Sequence, residues 1–593
     1  MNKSQKTIVY QVFTRLFGNT NTTNKPWGTK EENGVGKFSD FSDKALKEIK
    51  ELGVTHIWYT GVPHHALIGD YSAYGISNDH PGVVKGRAGS PYAVKDYYNV
   101  NPDLADDPAN RLAEFKALIK RSHAAGLKVI IDIVPNHVAR KYEGANNPKG
   151  VSDFGANDDT TVTYRKHNNF YYNPQESFSL PEWRNGYLPL GGALEGQLKG
   201  DFNETPAKWT GNGSRLSQPD FNDWYETVKI NYGVRPDGTK DFEVLPDEYA
   251  QKDCSRHLAF WKEKEKPDSW KKFRDIALYW IDFGVDGFRY DMAEMVPVEF
   301  WSFMNSSIKE RKPDAFLLAE VYHPDLYREF IFKGKMDYLY DKVTFYDSLK
   351  HIMKGYGWTD HMPVVQRDLM DIEHHMLHFL ENHDEQRIAS PEFLGDAAIA
   401  KPGMVVSATM STSPILLYFG QEVGEPGSEH AGFGSPSRTS IFDYIGVPNH
   451  QRWINNKKFD GGQLTEKEKQ LRVFYKNLLN FCLNSSALMG AYQDIHYYNR
   501  DHTEFYNHRV LSFVRWSAKE KLIIIANFDA NDSFAFDLKL PENIVREWGL
   551  QDGDWPLREV LYKEKQNTLS VTQGIGKTRV ALAPLESLIY SLG

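Results

Sequence analysis

Eight short apolar runs, each with the length and composition of a buried strand, recur along the chain and alternate with helical segments. Strands that alternate with helices form a parallel sheet covered by those helices, and eight of them are the number that closes into a barrel. The sequence therefore predicts an α/β fold, a (β/α)8 TIM barrel. Its predicted strands are Thr7–Phe13, Val54–Tyr59, Leu127–Val134, Val285–Asp291, Ala315–Val321, Met336–Tyr340, Met376–Leu380 and Pro414–Phe419.

Two stretches depart from this alternation in a chain of 593 residues. Residues 138–223 are rich in Asn, Gly, Tyr and Trp, and they are too many for an ordinary connection, which predicts an inserted loop domain after strand 3. After a last helix at Thr465–Leu483, short alternating strands predict a C-terminal antiparallel β-sandwich over 489–593. Four strands are recognisable there: Val510–Trp516, Lys521–Phe528, Phe534–Leu540 and Ser587–Leu592. The barrel is then expected to occupy residues 1–137 and 224–488.

Composition excludes several classes of partner. The formal net charge of -9 gives a nucleic acid no electrostatic attraction, and no stretch is apolar over the length needed to span a membrane.

The two cysteines cannot form a disulfide framework. The first residues lack an apolar segment followed by a cleavage site. Localisation is therefore left open between the cytoplasm and, if a signal peptide was removed, the periplasm or the exterior.

Charged side chains follow the apolar strands at the end where barrel enzymes carry their working residues. Asp291, Glu320 and Asp384 stand at the ends of strands 4, 5 and 7, and His137 and His383 lie at the ends of strands 3 and 7. Considered alone, Asp291 beside Arg289 is better explained by a structural ion pair, and each histidine by a satisfied buried side chain. Several of them converging on one face of a barrel argue for a functional site.

Arg289 lies two residues before Asp291, so both side chains point to the same side of strand 4. A neighbouring guanidinium favours the ionised form of a carboxyl group, and we expect it to keep Asp291 charged. Glu320 follows the apolar run Phe316–Ala319, which favours a proton-carrying acid. One charged and one protonated carboxyl group are the nucleophile and the acid of a retaining glycosidase. Asp384 would hold hydroxyls of the distorted sugar.

Several motifs resemble those of the α-amylase family of glycoside hydrolases. They are DIVPNH at Asp132–His137, GFRYD at Gly287–Asp291, AEV around Glu320, ENHD at Glu381–Asp384 and the loop Gly89–Tyr97. Each motif is weak alone, but their order and spacing along almost the whole chain are those of the family. The chain is therefore identified as a member of this family.

The resemblance implies a role for each matched residue. Asp291 matches the nucleophile, Glu320 the general acid/base and Asp384 the transition-state stabiliser. The matched substrate-binding residues are Tyr92, which is the aromatic platform beneath the sugar, His137, Arg289 and His383.

The resemblance also implies a metal site. Asn136 matches a calcium ligand of the family, and no organic cofactor is implied. A hard cation takes several oxygen ligands, and the insertion offers Asp153, Asp158 and Asp159 without assigning any of them.

The implied activity is retaining hydrolysis of α-glucosidic bonds, mainly α-1,4, in starch, maltodextrins or related α-glucans. Glu294 and Met295 stand where many α-amylases carry a Lys-His pair, and Met292 is neither of the residues common after the nucleophile. Gln218–Asp220 instead resembles the oligo-1,6-glucosidases, which implies an α-1,6-active glucosidase as the alternative. A transglycosylase or isomerase on the same scaffold also stays open, and a non-catalytic relative is a remote alternative.

Overall fold

A computed structural model describes residues 5–182, 190, 202–563 and 565–592 of the chain. Parts of the predicted insertion, residues 183–189 and 191–201, lie outside the described residues.

The predicted barrel is confirmed. Eight parallel strands close on themselves, each hydrogen-bonded to its neighbours in chain order, with the last beside the first. They are β1 Ile8–Phe13, β2 His56–Thr60, β3 Lys128–Ile133, β4 Gly287–Tyr290, β5 Phe316–Ala319, β6 Tyr338–Tyr340, β7 Met376–Phe379 and β8 Ile415–Tyr418.

Alternation along the strands divides their side chains between two apolar layers. Val9, Trp58 and Leu416 are among the buried residues that fill the interior of the barrel. Their neighbours, such as Ile8 and Tyr10 on β1, belong to the larger core that includes the surrounding helices. On β4 the same alternation sends Phe288 into that outer core and leaves Arg289 on the inner side. A fully buried cation thus stands over the packed interior at the carboxyl end of the barrel.

Helices follow every barrel strand. They include Asp43–Glu51, Arg111–Ala124, Cys254–Lys262, Asp268–Phe283, Val298–Arg311, Tyr327–Phe332, Asp347–Met353, His361–Asp368, Lys401–Thr409, Pro448–Ile454 and Glu466–Asn484. The helix before β4 ends at Gly284, whose φ of 120° is a conformation that side chains with a Cβ rarely adopt. Because the helix ends there, the chain reaches β4 only three residues later, at Gly287.

The insertion leaves and rejoins the barrel through one pair of antiparallel strands. His137–Ala139 pairs with Thr227–Lys229, with His137 opposite Lys229. A second pair, Tyr172–Asn173 with Ala207–Lys208, lies within the insertion. The first pair sets the insertion directly against the end of β3, where the strand-end motif lies.

The C-terminal region is one eight-stranded antiparallel sheet, where the sequence predicted a sandwich built from four recognisable strands. Its strands are β9 Ala491–Asp494, β10 Val510–Trp516, β11 Lys521–Asn527, β12 Phe534–Leu540, β13 Gly553–Glu559, β14 Gln566–Thr572, β15 Ile575–Leu582 and β16 Ser587–Leu592. The four unpredicted strands, β9 and β13 to β15, expose much of their length, so they lack the apolar signal of the others.

Arg515 on β10 joins this sheet to the barrel. Its guanidinium is fully buried and donates to the carbonyl oxygens of Met410 and Leu488 at 2.6 and 2.7 Å, and to those of Thr409 and Gly490 at 3.2 and 3.1 Å. One side chain therefore satisfies four backbone acceptors from two segments.

Within the described residues, no helix combines the length and the apolar character needed to cross a lipid bilayer.

Arg515→Met should destabilise the protein by about 3 kcal/mol or more, because it leaves buried carbonyl oxygens without donors. The measurement is chemical denaturation followed by fluorescence. The matched control is Arg579→Met, since Arg579 is 63% exposed and pairs with Asp537 at the surface, where such a pair contributes at most about 1 kcal/mol. Equal stability of the two variants would show that Arg515 does not hold the junction.

Candidate active site

Four carboxyl side chains meet at the carboxyl end of the barrel strands. Asp132 lies within β3, Asp291 and Glu320 directly follow β4 and β5, and Asp384 follows β7. Asp132, Asp291 and Glu320 are more than 90% buried. So many acidic groups are costly to bury without a compensating positive charge.

Arg289 supplies that charge. Its Nη1 donates to Asp291 Oδ1 at 2.8 Å and lies 3.6 Å from Asp132 Oδ1, and its Nη2 is 3.1 Å from Glu320 Oε2. The rings of Trp58, Tyr92 and Tyr340 surround the guanidinium at 5.4, 5.4 and 5.8 Å. The predicted contact between Arg289 and Asp291 is therefore present, and the same guanidinium also holds Glu320.

The electrostatic effect on Asp291 is opposite to the expectation. Burial raises the pKa of Asp291 well above its usual range, the nearby charge of Glu320 raises it further, and Arg289 offsets these effects only in part. The expectation that Arg289 holds the pKa of Asp291 low is wrong, because burial and then the charge of Glu320 outweigh the guanidinium.

Asp384 behaves in the opposite way. Burial acts to raise its pKa, but interactions with His383 and the charge of Arg289 outweigh burial and lower the pKa to about 2. His383 Nε2 lies 3.1 Å from Asp384 Oδ2. The Asp384 carboxyl group is the most accessible of the four, with 44% of its side chain exposed. It is thus a charged, reachable acceptor.

Asp132 is a site residue that the sequence reasoning did not select. It accepts a hydrogen bond from Trp58 Nε1 at 2.8 Å, and burial raises its pKa to about 6 against the opposing charge of Arg289. It lies directly opposite Arg289 in the register of β3 and β4. The available signal was a lone acidic residue within the apolar run of β3.

His383 and Tyr92 lie together, as predicted for residues that share one sugar. The two rings stack at 5.2 Å with an angle of 28°, and Tyr92 Oη contacts His383 Nε2. Gln11, a second residue that the sequence reasoning missed, donates from Nε2 to His383 Nδ1 at 2.9 Å. That bond leaves Nε2 as the ring donor that faces Tyr92 and Asp384. A polar residue within the apolar run of β1 was its only signal.

Met292 connects the two predicted catalytic carboxyl groups through its backbone. It has a left-handed conformation, with φ of 48°, and its N–H donates to Glu320 Oε2 at 2.8 Å. Such strained residues concentrate at functional sites. Two residues on, Glu294 accepts hydrogen bonds from the N–H groups of Tyr322 and His323 at 2.9 and 3.0 Å, which fixes the chain just after Glu320.

His137 is buried at the start of the insertion, with its ring edge-on to Trp224 at 5.6 Å. Burial lowers its pKa to about 3, and the charges of Lys229 and Lys85 add to this effect, so the ring is neutral at ordinary pH. A neutral imidazole has one N–H to donate. His137 follows β3 as Asp291 follows β4, so both residues lie at the same end of the barrel.

Asn136, the predicted calcium ligand, faces the insertion. Its amide oxygen accepts a hydrogen bond from the ammonium group of Lys229. The predicted ligand oxygen is therefore already in contact with a positive charge. Within the described parts of the insertion and the barrel, no cluster of three or more His, Cys, Asp or Glu side chains could hold a metal ion. The residues present at Asn136 thus do not fit calcium.

Comparison with known proteins agrees with this geometry. The family model of the alpha-amylase catalytic domain matches residues 11–188 and 249–473. Alpha-amylase 3 of Dictyoglomus thermophilum is 21% identical over 575 residues, which cover 91% of this chain and 88% of that protein. The cyclomaltodextrinase of Geobacillus thermopakistaniensis is 21% identical over 434 residues, or 71% of this chain, and the match spans only 56% of that relative.

A solved structure is similar in fold. The alpha-amylase from Geobacillus thermoleovorans, in complex with acarbose, superposes with a TM-score of 0.60 at 17% identity, covering 100% of this chain and 98% of that one. Since the family model alone matches more than half of the sequence, the chain belongs to the alpha-amylase family of glycoside hydrolases.

Proposed function

We propose that this chain hydrolyses α-glucosidic bonds, mainly α-1,4, in starch, maltodextrins or related α-glucans, with retention of configuration. Asp291 attacks the anomeric carbon while Glu320 protonates the leaving oxygen. Glu320 then removes a proton from the water that releases the sugar from Asp291. The covalent intermediate is a glucosyl ester of Asp291.

The observation that carries this proposal is the contact of one guanidinium with both carboxyl groups. Arg289 reaches Asp291 at 2.8 Å and Glu320 at 3.1 Å through its two terminal nitrogens. Carboxyl groups bridged in this way lie close together. Retaining glycosidases need a separation of roughly 5–5.5 Å, whereas inverting ones leave room for a water at roughly 6.5–9.5 Å.

Burial and the neighbouring charge of Glu320 raise the pKa of Asp291, which supports a proton held between the two carboxyl groups. The reaction needs the proton on Glu320 and the charge on Asp291. The 2.8 Å hydrogen bond from Arg289 stabilises the charged form of Asp291, which favours that arrangement.

Asp384, His383 and Tyr92 form the proposed sugar-holding side of the site. The low pKa of Asp384 keeps it charged, and its partial exposure lets it accept hydrogen bonds from two hydroxyl groups. Such bonds strengthen as positive charge develops on the distorted ring, and only this difference accelerates the reaction. The acarbose complex of the similar Geobacillus thermoleovorans enzyme supports an oligosaccharide substrate.

The α-1,6 and transfer alternatives concern the side of the site that receives the leaving group. A cavity of about 350 Å³ lies between Tyr171 of the insertion, Tyr232 just after it, and the segment Glu294–Val298 in the loop after β4. Glu294 and Met295, which depart from the residues common in α-amylases, line it. Bond preference and the choice between water and sugar as acceptor are therefore assigned to this cavity.

Incubation with maltoheptaose, followed by proton NMR and product chromatography, tests the proposal directly. The sugar released first should carry the α-configuration, since two displacements at one carbon restore it. Hydrolysis should give shorter maltodextrins, whereas longer products would indicate transfer and inertness towards maltoheptaose with cleavage of isomaltose would indicate the α-1,6 alternative. A β-anomer as the first product would refute the covalent mechanism.

Asp384→Asn should lower kcat by on the order of 10²-fold or more, with a smaller change in KM, because it removes charge needed chiefly in the transition state. Steady-state kinetics and a thermal melt are measured together. The melting temperature should be unchanged, since the side chain is partly exposed. The control is Asp325→Asn, whose side chain is 91% exposed after β5. Near-normal kcat in Asp384→Asn would make this residue structural.

Arg289→Ala should move the acid limb of the kcat/KM profile to higher pH. Arg289 lowers the pKa of Asp291, so its removal raises that pKa further, and the nucleophile becomes ionised only at higher pH. Arg289→Lys keeps the charge and should shift the limb less, although it loses the two-pronged contact. An unmoved acid limb in a folded Arg289→Ala enzyme would exclude this electrostatic role.

A further inference from the structure

Lys229 occupies the junction between three segments of the chain. It ends the returning strand of the insertion, directly opposite His137. Its Nζ donates to Asn136 Oδ1 just after β3 and lies 3.4 Å from the carbonyl oxygen of Met295 in the loop after β4. A single ammonium group therefore links the insertion to two adjacent strand ends of the barrel.

Every polar group of the Asn136 side chain has a partner. While Oδ1 receives the Lys229 ammonium, Nδ2 donates to the carbonyl oxygen of Gly211 and to His137 Nδ1, each at 3.0 Å. A cation on one side and a carbonyl oxygen on the other fix the orientation of the amide. Asn136 is fully buried, so these bonds are not exchanged for bonds to water.

The same amide fixes the ring of His137. An amide nitrogen can only donate, so His137 Nδ1 accepts and Nε2 carries the ring proton. Lys229, Asn136 and His137 thus form a continuous chain of hydrogen bonds from the insertion to a predicted sugar-binding residue. The Lys229 charge also disfavours protonation of that ring.

A metal ion and this ammonium group would compete for one place. Calcium takes six to eight oxygen ligands, usually with carboxylates among them. Here the side-chain oxygen of Asn136 and the main-chain oxygen of Met295 are neutral, and Lys229 repels a second cation. The described residues hold no cluster of acidic and histidine side chains that would offset this repulsion.

We propose that Lys229 is the cation of this junction, in the place of a bound metal ion, and that through Asn136 it positions His137. The first half of this proposal is independent of the proposed function, whereas the role given to His137 rests on it. The Lys229 ammonium holds the barrel and the insertion together by hydrogen bonds, and it is itself part of the chain, so no ion has to be captured during folding.

The wild-type protein, freed of metal by dialysis against EDTA, gives the first test. Its melting temperature should be the same in EDTA and in millimolar CaCl2, and elemental analysis after dialysis against dilute CaCl2 should find less than stoichiometric calcium. A bound equivalent of calcium together with a higher melting temperature would overturn the proposal. Neither measurement depends on the activity of the enzyme.

Lys229→Met gives the second test, since it keeps the length of the side chain and removes the ammonium group. Its melting temperature should fall by several degrees, and amide exchange should accelerate in the strands His137–Ala139 and Thr227–Lys229. The control is Lys141→Met, because Lys141 is a surface lysine of the insertion that is 41% exposed. Unchanged melting and exchange in Lys229→Met would overturn the proposal.

Positioning of His137 is read from kinetics. Lys229→Met should lower kcat/KM roughly tenfold, the size of effect seen when a residue that orients a binding side chain is removed. Lys229→Arg keeps the charge and should recover part of the loss. A stability loss without a kinetic effect would remove the role of His137. If the wild-type enzyme hydrolyses no glucan, the proposed function fails, while the metal and melting results still decide the place of Lys229.

Discussion

The positive charge of Arg289 is shared by Asp291, Glu320 and Asp132, which lie at distances of 2.8 to 3.6 Å. No carboxyl group in this arrangement has a cation of its own. Because the guanidinium stands in a fully buried position over the apolar interior, water cannot replace what it provides. The charge of this one side chain therefore acts on the proton affinities of all three acids together.

The barrel makes this sharing possible by placing neighbouring strands in parallel register. Arg289 lies opposite Asp132 on one side and Leu318 on the other, so the acidic residues that end or follow adjacent strands approach it from both sides. Because successive side chains of a strand point to opposite faces, Phe288, the neighbour of Arg289, lies in the outer core. The chemistry thus depends on backbone register as much as on the identity of the side chains.

Features that follow from local patterns could be predicted from the sequence. The eight barrel strands have continuous apolar runs, and Asp291, Glu320 and Asp384 stand just after three of them. The strands β13 to β15 were not predicted, because they lack a continuous apolar run. Their alternation of exposed and buried residues is nevertheless typical of half-buried strands. The raised pKa of Asp291 could not be predicted, because it depends on distances among groups far apart in sequence. The contact of Gln11 with His383, 372 residues apart, has the same cause.

The narrow strand pair at the base of the insertion has a consequence for variation among related chains. The insertion begins at His137 and returns at Lys229, and these two residues pair in one antiparallel strand pair. Its two ends are therefore neighbours whatever lies between them. Lengthening a closed loop adds little entropic cost, about 0.6 kcal/mol for each doubling. Residues of the insertion far from this strand pair can therefore be gained, lost or exchanged without moving the carboxyl groups of the barrel. Substrate preference can then change while the catalytic carboxyl groups stay in place.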